Sequence, residues 1–485
     1  MAWAVLLVGA LTWPLLAPGE LAARDMLVLD QPALSAAALG FGDTAARNVP
    51  QDGVLALAGQ VVPASWLVRV LIIGAAGLAA GAAAWLTRLL RARAGLAPSA
   101  PAAAAAMTVA VLNPFIVERL LQGHWSLVIA AWLLPGVAAA SLAGRPLLAG
   151  LGVIGASLTP SGALLATLTA VAAARGRRHR VGALLVGLAA SLPWLVPGVL
   201  AASTAPSASA AAFAPRAEAW VGTAGALLGL GGIWNAEAVP ASRAAGFAVF
   251  GVLLFLVLAT AWRRCPRPLL LLAVLGLGGA TLTWLAPGLT GWAVEHVPGA
   301  GLVRDGQKLV MLAIPAYVAL AGLMRREWLA ATVLALAVLQ VPDAPRELTV
   351  LRPATVAVDE ELVAFAGGRD VFFPGRSGLA TRADGLVIVD PATKAMSVVE
   401  SGALVVDGRV VDPPSPRWVA AGEAWARRDL ARLAELGVGV VVDGGTVVET
   451  GAAARPLPVP GLLLLAWWLA LPWGLLAIAA ARRRD

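Results

Sequence analysis

The sequence predicts an all-α polytopic membrane protein with about twelve transmembrane helices and one small α/β domain outside the cytoplasm. Of its 485 residues, 59% are hydrophobic and only 13% are charged. Soluble proteins carry about 25% charged residues, so this chain has too few to cover an aqueous surface. Long apolar runs separated by short arginine clusters are typical of a chain that crosses a membrane many times.

The apolar runs predict twelve membrane-spanning helices. The two shortest, Leu147–Leu158 and Gly162–Ala174, are either full spans or a re-entrant pair, and both alternatives return the chain to the same side. The predicted spans are Trp3–Pro18, Trp66–Leu90, Pro101–Phe115, Trp125–Leu142, Leu147–Leu158, Gly162–Ala174, Val181–Ser203, Ala244–Trp262, Leu269–Leu285, Leu309–Leu323, Trp328–Val341 and Leu462–Ala481.

The placement of arginine predicts the orientation of these spans. Basic clusters are typical of cytoplasmic loops, and an amino terminus in the cytoplasm puts every cluster on that side. The chain is therefore expected to be a multi-pass plasma-membrane protein with both termini inside. The clusters are Arg88, Arg91 and Arg93; Arg175, Arg177, Arg178 and Arg180; Arg263, Arg264 and Arg267; Arg325 and Arg326; Arg482, Arg483 and Arg484.

This orientation divides the chain into three parts. The predicted division is a multi-span transmembrane domain over residues 1–342 with outer loops 19–65, 204–243 and 286–308, an extracytoplasmic domain over 343–458, and a last span with a basic cytoplasmic tail over 459–485.

The extracytoplasmic part is expected to be a small α/β domain. Its apolar runs Gly385–Asp390 and Gly437–Asp443 predict buried strands. Ala420–Leu436 has alanine, leucine and charges at helical spacing and runs into the helix stop Gly437. Strand, helix and strand in this order favour an α/β fold.

Composition and spacing argue against several function classes. No aromatic-interleaved basic patch indicates nucleic-acid binding, and no carboxylate or histidine near the middle of a span indicates an ion-coupled transporter. The chain also lacks a glycine-rich phosphate loop, a metal-spaced set of His or Cys, and a Ser-His-Asp candidate. We therefore predict no metal ligands, and leave a divalent cation open as a cofactor.

Two carboxylates follow the first predicted span, in the segment Arg24–Pro32. Asp25 or Asp30 could act as a general base that takes the proton of an acceptor hydroxyl at the outer surface. The alternative is a solvated loop in which Asp25 pairs with Arg24.

The turn Asn113–Trp125 is unusually rich in polar groups. Glu118, Arg119 and Gln122 lie at helical spacing on a short interfacial helix, and His124 follows them. Such a set could bind sugar hydroxyls, and Arg119 could bind a phosphate. The alternative is a capped interfacial turn with a Trp anchor.

The segment Val303–Lys308 places cations on the outer side, against the topology bias. Arg304 and Lys308 are four residues apart and could face one phosphate at a helix N-terminus, with Asp305 beside them. A lipid-headgroup contact without catalytic meaning is the alternative.

A fourth outer segment combines aromatic and polar side chains. Tryptophan and carboxylates suit sugar stacking and hydroxyl bonding, with Trp234 the candidate substrate contact, although Trp also belts membrane interfaces. The residues are Arg216, Glu218, Trp220, Trp234, Asn235 and Glu237.

This layout resembles the GT-C superfamily of polyprenyl-phosphate-dependent glycosyltransferases, and is most similar to the actinobacterial arabinofuranosyl- and mannosyltransferases of the cell envelope. The resemblance rests on the span number, the acidic first outer loop and four segments spread over most of the chain. The segments are Asp25–Pro32, Leu112–Trp125 (LNPFIVERLLQGHW), Pro298–Lys308 (PGAGLVRDGQK) and Leu433–Val442 (LAELGVGVVV).

The resemblance implies inverting transfer of arabinofuranose or mannose from a decaprenyl-phosphate donor to an envelope glycan or glycolipid at the outer face. It implies an aspartate of the first outer loop as base, with Asp25 preferred over Asp30 because it follows the first helix more closely. Arg304 and Lys308 would then hold the leaving phosphate. Two readings of another class stay open: a non-catalytic envelope-assembly scaffold, and a lipid or glycan transporter.

Overall fold

A computed structural model describes residues 1–201, 208–297, 299–406 and 408–481 of this chain, and they are mostly helical. Several predictions fall outside these residues: the basic tail Arg482, Arg483 and Arg484, residues 204–207 of the outer loop 204–243, Ser203 at the end of a predicted span, and Pro298.

Seven of the helices are long and apolar enough to cross a membrane, so the chain is a polytopic membrane protein by length and composition. They are Ala64–Arg93, Ala100–Gln122, Trp125–Leu142, Arg177–Ala201, Arg267–Leu285, Glu327–Leu351 and Val459–Ala481. Five shorter apolar helices match the five other predicted spans, and the number of crossings beyond seven remains a prediction. These five are Ala2–Leu16, Pro146–Ala156, Pro160–Ala173, Arg243–Ala259 and Gly306–Gly322.

Several of these helices are interrupted. Ala100–Gln122 consists of Ala100–Val111 and Pro114–Gln122, because Asn113 ends the first and caps the second by accepting a hydrogen bond from Ile116 N. Glu327–Leu351 likewise consists of Glu327–Leu339, Ala344–Glu347 and Leu348–Leu351. The remaining short helical segments are Gln51–Ala58, Ala208–Ala212, Gly222–Leu228, Ala236–Ala238, Trp262–Arg264, Pro287–His296, Ala300–Val303, Glu360–Ala366, Ala392–Ala395, Pro416–Ala426 and Leu430–Glu435.

Small residues allow the long helices to pack closely. Ala64–Arg93 buries a stripe of alanines, including Ala76, Ala79 and Ala83, against its neighbours, as membrane helices commonly do. At its carboxy-terminal end Arg91 donates to the carbonyl oxygen of Met324 at 2.8 Å.

Nine short strands form small sheets. They are β1 (Leu21–Ala23), β2 (Met26–Val28), β3 (Asp370–Phe372), β4 (Leu379–Thr381), β5 (Val387–Val389), β6 (Leu404–Val406), β7 (Arg409–Asp412), β8 (Val438–Asp443) and β9 (Thr446–Glu449). In the described chain, β3 pairs in parallel with β8, which pairs antiparallel with β9, and the other strands form the hairpins β1–β2, β4–β5 and β6–β7.

The predicted strand Gly437–Asp443 is confirmed as β8, whose first four residues are buried. The prediction for Gly385–Asp390 is only partly right, because β5 lies in a separate hairpin and only Ile388 of it is buried. The predicted helix Ala420–Leu436 is two helices, Pro416–Ala426 and Leu430–Glu435, because Arg428 between them adopts a left-handed φ of 56°.

The first outer loop, predicted as residues 19–65, contacts both the helices and the outer domain, predicted as residues 343–458. Arg24 O accepts a hydrogen bond from Val389 N at 3.1 Å, and Asp52 forms a 2.5 Å ion pair with Lys394. These contacts join the β1–β2 hairpin to the outer domain on the side where the candidate site lies.

Candidate functional site

Asp25 lies at the turn of the β1–β2 hairpin. All residues of the strands β1 and β2 are buried, so buried strands on both sides fix the exposed turn. Arg24 takes a left-handed φ of 50° to make the turn, and its guanidinium donates to the carbonyl oxygens of Leu121 at 2.9 Å and Glu237 at 2.8 Å.

Gly123 allows this turn to approach the helix Pro114–Gln122. It ends the helix with a φ of 88°, a conformation that glycine adopts without strain. A Cβ atom on Gly123 would lie 2.9 Å from Asp25 N and closer still to Met26 N and Ala23 O. The absence of a side chain therefore brings Asp25 beside the last turn of the helix.

The Asp25 carboxylate is held through one of its two oxygens. Oδ2 accepts a hydrogen bond from Gln122 Nε2 at 3.0 Å and lies 2.9 Å from His124 Nε2. Among the residues that the structure describes, none donates a hydrogen bond to Oδ1. Asp25 is therefore a fixed carboxylate with 45% of its side chain exposed and with one oxygen that no described residue engages.

A buried ion pair determines the tautomer of His124. Its Nδ1 lies 3.0 Å from Arg119 Nη1, and an arginine can only donate, so Nδ1 accepts. The proton of the neutral ring is therefore on Nε2, which donates to Asp25. Arg119 is itself fixed by two hydrogen bonds to Asp305, at 2.6 and 2.8 Å, and by two to Gln307 Oε1, from Nε at 2.9 Å and from Nη2.

A second chain of hydrogen bonds orients Gln122. Asn235 Nδ2 donates to Gln122 Oε1 at 2.7 Å, so the Gln122 amide nitrogen faces Asp25. Asn235 Oδ1 in turn accepts from Glu237 N at 3.0 Å. The loop after Trp234 thus supports the carboxylate from the side opposite His124.

The electrostatics keep Asp25 ionised and His124 neutral. Burial raises the pKa of the Asp25 carboxyl, but the hydrogen bonds from His124 and Gln122 and the charge of Lys308 bring that pKa below its usual value. Burial lowers the pKa of His124, with Arg119 acting in the same direction. Burial likewise raises the pKa of Asp305, but Arg119 outweighs it and brings that pKa to about 2.

The predicted phosphate ligands have different surroundings. Arg119 is fully buried and engaged by Asp305, so it is not free to bind a phosphate as the sequence suggested. Lys308 is half-buried, with its ammonium 3.7 Å from Asp305 Oδ2. Arg304 is buried, and its Nη1 donates to both oxygens of Asp412 at 2.7 and 3.0 Å.

Glu118 faces away from Asp25. It is fully buried, and its carboxylate accepts hydrogen bonds from Gly232 N at 3.3 Å and Ile233 N at 3.0 Å. Arg243 lies 3.8 Å from it and is bonded to Glu218. Glu118 therefore fixes the loop around Gly232 and Ile233 and has no exposed atom that a substrate could contact. The predicted substrate contact of Glu118 does not fit this position.

Asp30 and Trp234 have partners other than Asp25. Asp30 accepts a 2.5 Å hydrogen bond from Ser65 Oγ, and its carbonyl accepts one from Ala64 N at 2.9 Å, so it fixes the start of the helix Ala64–Arg93. The ring of Trp234 packs edge-on against Phe213 at 4.7 Å. The structure therefore brings together Asp25, Gln122, His124, Arg119, Asp305 and Lys308 from the predicted set.

Sequence reasoning missed three contributors. Gly123 carried a signal, since a glycine at a helix end indicates a left-handed cap, but not its contact with the hairpin. Asp412 and Arg47 lie far from Arg304 along the chain and carry no local motif.

Two cavities lie between the first outer loop and the outer domain. The larger, about 350 Å³, is lined by residues such as Phe41, Asp370 and Met396. The smaller, about 80 Å³, borders Arg47 and Lys394. Neither is lined by a residue of the predicted site.

No group of three or more His, Cys, Asp or Glu side chains placed to hold a metal ion occurs in the described ranges. Comparisons with protein-family models, curated proteins and solved structures found no match to this chain. The site must therefore be judged from its own geometry.

Proposed function

We propose that this protein is a membrane glycosyltransferase that transfers a sugar from a polyprenyl-phosphate donor to an acceptor hydroxyl at the outer face. One observation carries the proposal: the Asp25 carboxylate is anchored through Oδ2 and free at Oδ1, and the contacts from His124 through Arg119 to Asp305 connect it to the ammonium of Lys308, 3.7 Å from Asp305 Oδ2. A base for a hydroxyl and a cation for a phosphate are the two groups that such a transfer requires.

In the proposed reaction, Oδ1 of Asp25 takes the proton of the acceptor hydroxyl. The acceptor oxygen forms a bond to the anomeric carbon as the bond from that carbon to the phosphate oxygen breaks. Attack from the face opposite the phosphate inverts the anomeric centre. Lys308, and Arg304 when it is free of Asp412, stabilise the negative charge on the leaving polyprenyl phosphate.

The sugar is proposed to be arabinofuranose or mannose on decaprenyl phosphate, and the acceptor an envelope glycan or glycolipid. These assignments rest on the resemblance of the sequence segments to the cell-envelope GT-C enzymes. The buried support of Asp25 by His124 and Gln122 favours a catalytic over a solvated-loop role, because a loop carboxylate needs no oriented partners.

The proposal includes about twelve spans in the plasma membrane, with both termini cytoplasmic and residues 343–458 outside. It is supported by the arginines at one end of the helices. Arg91 donates to the carbonyl of Met324 at 2.8 Å and Arg93 to that of Leu142 at 2.7 Å, so three basic helix ends meet. Such a basic end is typical of the cytoplasmic side.

The test compares Asp25→Asn with Asp30→Asn in the purified protein in lipid nanodiscs. Release of decaprenyl phosphate is measured with decaprenyl-phosphoarabinose and decaprenyl-phosphomannose as donors. Asp25→Asn is expected to lower the rate about 10²–10⁴-fold, since it removes a general base. Asp30→Asn is the matched control and is expected to retain the rate, because the Asp30 carboxylate is bonded to Ser65 Oγ at the start of the helix Ala64–Arg93. Equal rates for Asp25→Asn and the wild type would refute the mechanism, and no transfer by the wild type from either donor would favour the scaffold.

A further inference from the structure

The carboxylate of Asp412 lies among cations contributed by two other parts of the chain. Arg304 Nη1 donates to Oδ1 at 2.7 Å and to Oδ2 at 3.0 Å, and Arg47 Nη2 lies 3.5 Å from Oδ2. Arg304 and Asp412 are buried, at 8% and 6% exposed, while the Arg47 side chain is 56% exposed. The outer domain, through β7, therefore places an anion on cations of the membrane domain.

Lys308 lies four positions after Arg304 in the chain. Its ammonium is 3.7 Å from Asp305 Oδ2. The guanidinium of Arg304 is also fixed from below by the ring of Phe213, 4.4 Å from its centre. Two arginines, Arg304 and Arg47, therefore lie on the single carboxylate of Asp412.

The two oxygens of Asp412 lie on one guanidinium nitrogen of Arg304, with Arg47 beside them. Two oxygens of a phosphate could occupy the same positions. We propose that Asp412 occupies the phosphate position of this site in the resting protein, and that a lipid phosphate must displace it from Arg304 before the donor is held. This inference rests on the proposed function for its choice of ligand. It adds an internal competitor to that function, contributed by the outer domain.

The geometry favours a competitor over a simple tether. The outer domain is already joined to the first outer loop by the ion pairs Asp52–Lys394 at 2.5 Å and Asp43–Arg417 at 3.3 Å, neither of which touches Arg304. A further tether would not need to engage Arg304, one of the two cations that the proposed reaction uses for the leaving phosphate. With a competitor, the apparent affinity for the ligand equals the intrinsic affinity multiplied by the fraction of molecules in which Arg304 is free.

The test measures binding of decaprenyl phosphate to the full chain in nanodiscs. Asp412→Asn is expected to bind about ten times more tightly than the wild type, because the amide keeps the shape but loses the competing charge. Asp52→Asn, which breaks the ion pair with Lys394 between the loop and the outer domain, is the matched control and is expected to leave the affinity unchanged. Unchanged or weaker binding by Asp412→Asn would overturn the proposal.

Two further ligands define what the site recognises. Phosphatidic acid and inorganic phosphate carry the same phosphate chemistry, on another lipid and on no lipid. A gain in affinity for decaprenyl phosphate and phosphatidic acid, but not for inorganic phosphate, supports a lipid phosphate as the ligand. A gain for inorganic phosphate alone contradicts it.

Hydrogen exchange of the wild type provides a measurement that does not depend on the folding of a variant. Adding decaprenyl phosphate should increase exchange in Arg409–Asp412, because releasing Arg304 loosens this strand. No change at saturating ligand contradicts displacement. If the wild type transfers sugar but Asp412→Asn does not bind decaprenyl phosphate more tightly, this inference is wrong and the proposed function stands. If Asp412→Asn binds more tightly but the wild type transfers no sugar, the inference stands and the proposed function is wrong.

Discussion

Replacing Gly123 with alanine should separate the Asp25 turn from its supporting helix. Gly123 ends the helix at a φ of 88°, and a Cβ there would lie within 3.0 Å of three backbone atoms of the hairpin turn. Backbone atoms cannot swing aside as the end of a flexible side chain can. The turn that carries Asp25 must therefore move away from His124 and Gln122.

The structure sets the size of the effect. Left-handed backbone in alanine costs about 1–2 kcal/mol, and overpacking against the hairpin adds about 1–3 kcal/mol. The free energy of unfolding should therefore fall by about 2–5 kcal/mol. A displacement of about 1 Å at a reacting group can lower a rate by roughly 10²-fold, so transfer should fall by about that factor.

Gly144→Ala is the matched control. Gly144 follows the helix Trp125–Leu142 with a φ of 69°, and a Cβ there would meet nothing within 4 Å. It carries the backbone strain without the clash, so only the difference between the two variants reports the contact of Gly123 with the hairpin. The assays are the thermal midpoint in nanodiscs and the release of decaprenyl phosphate. If Gly123→Ala matches Gly144→Ala in both, the close approach has no role in placing Asp25.

Two other perturbations test the buried support. Because burial lowers the pKa of His124 below 6.5, its neutral form contributes stability that is present above pH 6.5 and lost as the pH falls and the ring is protonated against Arg119. The transfer rate of the wild type should therefore be constant from about pH 6.5 to 8 and decline at lower pH. His124→Gln should lose that decline. A profile of His124→Gln identical to that of the wild type would contradict the assigned state of His124. Arg243→Gln leaves the carboxylates of Glu118 and Glu218 buried without their cation and should lower the free energy of unfolding by about 3–5 kcal/mol, read from the thermal midpoint. The double variant Arg243→Gln/Glu218→Gln should recover part of that loss of free energy. No recovery would show that the charges of Arg243 and Glu218 do not stabilise each other.

Local patterns could be predicted from the sequence because they depend on neighbouring residues. The helix Trp125–Leu142 has the predicted bounds, since an apolar run between a polar turn and a basic end needs no distant partner. The strand β8 is similar. The break at Arg428 was missed because charged, alanine-rich sequence has the same helical spacing on both sides of a single left-handed residue.

Long-range pairings could not be predicted from one sequence. The partner of Arg304 is Asp412, 108 positions away, and nothing near either residue identifies the other. Asp25 and Asp30 are the same residue type and both follow the first helix. Only the fold distinguishes them, because Asp30 turns to the start of the helix Ala64–Arg93 while Asp25 reaches His124.

The short helix Pro114–Gln122 explains how a loop carboxylate becomes rigid. Glu118 and Gln122 are one helical turn apart and both contact the loop 231–235, while Arg119 is turned toward Asp305. The helix is thus fixed from two directions before it meets the hairpin. In the proposed mechanism, a carboxylate ordered in advance does not have to lose its rotational freedom during the reaction, which is the physical advantage of packing the hairpin turn of Asp25 against a helix end.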